Sequence, residues 1–172
     1  MRWKPRLRVS LGTLAAMTEP SPSRHDPVKE YRGRDIVVRF DPRLCTKAGY
    51  CGGGLPVVFR AGQVPWADPD SASADEIATV IHKCPSGALT YERIDGGPQE
   101  EIDDEVSIRP RKNGPLEVRG PVTLVNEKGE PIPTVGRFAL CRCGHSENKP
   151  FCDDSHTRVR FRTTAPRQAP KS

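Results

Sequence analysis

Residues 141–156 read CRCGHSENKPFCDDSH. Cys141, Cys143, Cys152 and His156 offer three thiolates and one imidazole within this short stretch, and soft or borderline donors packed so closely mark a metal centre. Cys141 and Cys143 are separated by a single residue, which suits two thiolates on one iron of a cluster. Structural zinc sites usually separate paired cysteines by about two to four residues. Such a close pair is also badly placed to form its own disulfide. The donor set is compatible with zinc or iron, and the spacing favours iron. His145 lies in the same loop but is read as an exposed or supporting residue, since four donors are already supplied.

Four short candidate strands precede this loop, VSIR, LEVRG, VTLVN and GRFAL, with turns at NGPL and EKGEP. The loop hangs directly from the last of them. Over residues 105–163 the chain resembles the CDGSH iron-sulfur domain, whose pattern is C-x-C-x2-[ST]-x3-P-x-C-D-G-[ST]-H. Cys141, Cys143, Ser146, Pro150, Cys152, Asp153, Ser155 and His156 match it, and Asp154 stands where the pattern has glycine. If that position has positive φ, Asp is among the few residues that tolerate it. The resemblance implies a 2Fe-2S cluster with Cys141 and Cys143 on one iron and Cys152 and His156 on the other. One imidazole among thiolates reduces the negative charge around a cluster, raises its potential and can be lost by protonation. His156 is therefore expected to tune the potential and to make the site acid-labile.

A second group of cysteines lies upstream, Cys45 and Cys51 in CTKAGYC and Cys84 in CPSGAL. A bacterial four-iron loop reads C-x2-C-x2-C with a distant C-P, and here the middle cysteine is replaced by Ala48. Around these residues, DIVVRF and LPVVF read as extended runs, CGGG as a turn, and GALTYERI as a closing strand. SADEIATVIHKC reads as a helix, because Ser73 and Glu76 have capping-box spacing and Ala74, Ile77, Ala78 and Ile81 recur at helical intervals. The helix must end at Lys83-Cys84, before Pro85. Residues 35–95 resemble the single-cluster ferredoxins, in particular the divergent ferredoxin domain found beside CDGSH domains. Three thiolates hold three irons, so the simplest product is a 3Fe-4S cluster; a 4Fe-4S form needs water, hydroxide or a nearby side chain. Lys47 occupies the place where relatives often have histidine, and His82 is read as a surface or capping group. The alternative, three ordinary buried cysteines, is opposed by Gly49, Gly52, Gly53 and Gly54, which free the backbone to wrap a cluster and aim N–H groups at its sulfides.

Composition agrees with small units that need a non-hydrophobic staple. The 172 residues are 35% hydrophobic and 6% aromatic, with 15 Gly and 18 Pro, too poor for one large core. No run of about eighteen apolar residues occurs, which excludes a membrane-spanning helix. The net charge of +5 lies in residues 1–34, where eight basic residues face three acidic ones, while the remainder balances. No basic stripe interleaved with aromatics follows, so nucleic acid binding is not expected. Residues 1–34 read as a disordered basic head in which Arg6–Met17 is a poor export signal; a translation start at Met17 is the expectation and an organelle presequence the alternative. Reduced thiols in a cytoplasmic setting follow. Residues 96–104, rich in carboxylates, read as a solvated acidic linker, with an acidic docking surface as the sharper alternative, and residues 164–172 as a loose tail.

The expected architecture is thus α+β, a small ferredoxin-like domain (35–95) followed by a β-rich CDGSH-type domain (105–163). No nucleophile–base pair or phosphate loop is visible, and CGGG lacks the Lys-Ser/Thr of the latter. The chain reads as a non-enzymatic iron-sulfur protein that transfers electrons to and from redox partner proteins. Cluster transfer to apo iron-sulfur acceptors, or redox and pH sensing, is one alternative. A zinc-stabilised interaction protein is another. Oligomeric state is left open.

Overall fold

The computed structural model describes residues 25–164. The expectations for the extreme head, including the start at Met17, and for the tail from 165 onward lie outside the described residues.

The first sheet is antiparallel, ordered β1 (Lys29–Arg32), β2 (Ile36–Phe40), β3 (Leu89–Arg93). The β-branched run makes β2 its centre, with Val38 opposite Tyr31 on one side and Tyr91 on the other. β1 corrects the reading of residues 1–34 as wholly disordered. Its polar composition hides an edge strand whose Tyr31 packs against Trp66, ring centroids 5.9 Å apart, and whose Glu30 binds Arg39 of β2 at 3.0 Å. Residues 50–54 are a second correction: the expected turn is a short helix, α1 (Tyr50–Gly54), entered through Gly49 at φ +80°. A third concerns LPVVF. Its β-branched residues suggest a strand, yet Val58 and Phe59 donate their N–H groups back to Leu55 in a turn, and Phe59 makes only an isolated bridge to Ala67. Burying both consecutive side chains in the core outweighs strand propensity there.

Helix α2 (Ala74–His82) forms as its sequence dictates. The Ser73 hydroxyl accepts from the Glu76 N–H, and the Glu76 carboxylate accepts from the Ser73 N–H at 3.0 Å. Ala74, Ile77, Ala78 and Ile81 are all buried against β2 and β3; each isoleucine contributes about 2 kcal/mol of apolar burial.

The second sheet is also antiparallel, ordered β4 (Ser107–Pro110), β5 (Leu116–Arg119), β8 (Arg137–Leu140), with a hairpin of β6 (Leu124–Val125) and β7 (Pro131–Ile132) beside it. A short helix, α3 (Ser155–Arg158), follows the cysteine-rich loop. The whole is a mixed α+β chain.

The two sheets meet along a seam. Buried Arg137 donates to the Leu89 carbonyl at 2.6 Å and pairs with Glu100. Gly87, at φ +69°, lies so close to Arg137 that a Cβ would stand 2.5 Å from its carbonyl oxygen, which only glycine allows. The acidic segment 96–104 is drawn into the seam rather than being simply solvated. The Gln99 side chain accepts from the Arg93 N–H and donates to the Arg93 carbonyl, mimicking a strand neighbour, and Glu100 accepts from the Tyr91 N–H at 3.0 Å.

Candidate metal centres

β8 ends at Leu140, and the chain then loops back on itself. The Cys141 N–H donates to the Pro150 carbonyl at 2.9 Å and the Cys152 N–H to the Ala139 carbonyl at 2.8 Å. Cys152 is thereby set beside the strand end that carries Cys141 and Cys143. Inside the loop, Ser146 Oγ donates to the Phe151 carbonyl and accepts from the Asn148 N–H. Buried Asp153 holds both sides of the turn, accepting from the Glu147 N–H at 3.1 Å and the Ser155 N–H at 3.0 Å. These bonds explain why Ser146 and Asp153 accompany the four donors. Asp154 has φ +71° and precedes α3, so the departure from glycine falls on a left-handed residue, which Asp tolerates.

The donors fall into two pairs. The sulfurs of Cys141 and Cys143 are 3.8 Å apart, and Cys152 Sγ lies 3.4 Å from His156 Nδ1. Two thiolates bound tetrahedrally to one metal at about 2.3 Å stand about 3.8 Å apart, and a thiolate with an imidazole about 3.6 Å. Each pair therefore fits one metal atom. Among the described residues, no three His, Cys, Asp or Glu side chains converge as a single ion requires. His145 turns away: its Nδ1 contacts the Cys143 carbonyl at 2.7 Å, and the residue is exposed. Burial pushes the Cys141 thiol up, but the N–H groups of Ser146, Gly144 and Cys143 and the Cys143 side chain outweigh it, so its pKa is lowered. Burial pushes Cys152 up to about 11. A cation bound in this loop would displace the protons of these thiols.

The upstream cysteines line one cavity of about 220 Å³. Cys45 leaves the turn Pro42–Leu44, Cys51 sits on α1, and Cys84 follows α2, its N–H donating to the Ile81 carbonyl at 2.9 Å. Trp66, stacked on Phe40 with centroids 4.6 Å apart, closes the apolar side. Burial, aided by Cys84 and Cys51 and opposed by Lys47, pushes Cys45 up to about 11, and burial likewise raises Cys51. Cys45 and Cys51, each held protonated by burial, ionise more readily beside a cationic group. His82 does not line this cavity; its Nε2 is 3.1 Å from the Tyr91 hydroxyl. Sequence reasoning missed Ser86, a buried wall residue whose Oγ is 3.7 Å from Cys84 Sγ; its place beside CP was the only signal. No disulfide joins any of the six cysteines.

The two sites adjoin. Lys47 Nζ is 4.0 Å from an Asp154 carboxylate oxygen, and Arg111 donates to the Tyr50 hydroxyl at 2.8 Å. Arg142, between the paired cysteines, donates to the Gly114 carbonyl at 2.9 Å and to the Arg111 carbonyl, and stacks on Phe161.

Residues 113–157 match the CDGSH-type iron-binding zinc finger family, and residues 31–94 match the divergent 4Fe-4S mono-cluster family. The chain thus carries one segment of each kind, which supports iron-sulfur cluster binding. Over 61 residues it is 38% identical to the uncharacterized protein YjdI of Escherichia coli K12, covering 36% of this chain and 80% of that protein; YjdI of Escherichia coli O157:H7 matches equally. No helix among the described residues is long and apolar enough to cross a membrane.

Proposed function

We propose that the chain is a non-enzymatic electron-transfer protein of the cytoplasm with two clusters: a 2Fe-2S cluster on Cys141, Cys143, Cys152 and His156, and a 3Fe-4S or 4Fe-4S cluster on Cys45, Cys51 and Cys84 in a ferredoxin-like unit. The observation that carries this reading is the pairing of donors at 3.8 and 3.4 Å, each separation suited to one iron and the two together to a binuclear centre. A lone zinc ion would gather all four donors about one point. Iron-sulfur clusters supply one-electron exchange when bound.

The chain's own residues do the rest. The N–H groups of Ser146 and Gly144 stabilise the Cys141 thiolate, Asp153 fixes the turn that presents Cys152 and His156, and Trp66 with Phe40 and Phe59 keeps water from the upstream thiols. The test is iron, sulfide and zinc analysis of anaerobically purified protein, with visible spectra before and after dithionite. Coloured protein with iron and sulfide from two clusters, reduced and reoxidised without iron loss, is expected. Colourless protein with stoichiometric zinc overturns the reading, and ready loss of the cluster to an apo-ferredoxin identifies delivery rather than electron transfer.

A further inference from the structure

A second cavity, of about 490 Å³, opens beside the upstream cysteine pocket, walled by Tyr50, His82, Lys83, Pro85, Arg109 and Arg119. It shares Tyr50 and Pro85 with the pocket that holds Cys51 and Cys84, so a molecule seated in the cleft is separated from those thiols by one layer of side chains. No carboxylate forms part of its wall. The neighbouring acids neutralise it only in part. Glu117 is shared between Arg109 and Arg111, and Asp103 pairs with Arg119 at 3.3 Å. Lys83, at the end of α2, has no carboxylate partner among the described residues, and the Arg109 side chain is 70% exposed. Arg119 also donates to the His82 carbonyl at 2.7 Å, fixing the two halves of the wall against each other.

We propose that this cleft is the docking site for the acidic face of a protein electron carrier. The inference rests on the electron-transfer reading above and adds the partner's chemistry and its place of contact. Cationic side chains around a concave surface draw an anionic partner in and orient it, and such attraction weakens as salt screens it. A carrier docked here is separated from the cysteine pocket by the shared wall of Tyr50 and Pro85.

The full-length, cluster-loaded protein is titrated with an acidic plant-type 2Fe-2S ferredoxin and separately with a basic cytochrome c, each fluorescently labelled, at about 20 mM and about 200 mM salt. Binding of the ferredoxin alone is expected, weakened about tenfold or more by the added salt. Lys83→Glu should weaken it about tenfold at low salt, whereas Arg34→Glu, an equal charge change at the Arg93 end of the first sheet, should leave it within about twofold. Equal effects of the two variants, or preference for cytochrome c, overturn the docking site. If ferredoxin fails to bind protein that is still coloured and reversibly reduced, the cleft is refuted and the electron-transfer reading stands. Colourless, sulfide-free protein refutes both.

Discussion

His156 carries the largest consequence assigned to any single side chain. In the proposed set it is the only neutral donor, so His156→Cys adds one negative charge at the cluster and should lower its potential by roughly 100 mV or more, the direction and scale by which imidazole ligation raises iron-sulfur potentials. Protein-film voltammetry reads this directly, and an unchanged potential would show that the imidazole does not set it. The proposed donors are legible in sequence as two tight local spacings, Cys141 with Cys143 and Cys152 with His156. What held them was less so. Asp153 appears in the pattern, but its role in binding the Glu147 and Ser155 N–H groups is a matter of three-dimensional closure. The position of Asp154 at φ +71° was legible as a substitution for glycine, since few other residues accept that backbone.

Among the elements, α2 is the clearest case of local sequence dictating structure, and it ends where Cys84 must begin. Ser73→Ala removes the side-chain acceptor for the Glu76 N–H and should cost about 1 kcal/mol. That is a fall of about 2–4 °C in thermal midpoint for a chain of this size, measured by calorimetry on the loaded protein, and no change would show that the cap does not limit stability. The same reasoning fails for 55–59 and for β1. Val57, Val58 and Phe59 have strand propensity, but two adjacent side chains face the core, and only the packing around Trp66 reveals the turn. β1 is polar along its length and gains its place from Tyr31 against Trp66 and Glu30 on Arg39, partners far away in sequence or on the next strand.

For the molecule as a whole, the seam joins the two halves that match the iron-binding families. Arg137 is 4% exposed and bridges Leu89 and Glu100. Removing it leaves a buried carboxylate without its cation, so Arg137→Ala should destabilise the protein by about 3–5 kcal/mol in urea unfolding; a loss below about 1 kcal/mol would mean the seam yields to solvent. None of this was legible beforehand, because Gln99, Glu100 and Arg137 look like surface residues until the chain folds, and the acidic run suggested a solvated linker or a docking surface rather than a seam. The central claim is that iron in the C-terminal half is held by three sulfurs and one nitrogen. Pulsed electron paramagnetic resonance of the dithionite-reduced protein, grown with ¹⁵N-histidine, tests it most directly. A strongly coupled histidine nitrogen is predicted, retained in His145→Ala and lost in His156→Cys; a spectrum without such coupling, or one in which it survives His156→Cys, would contradict it.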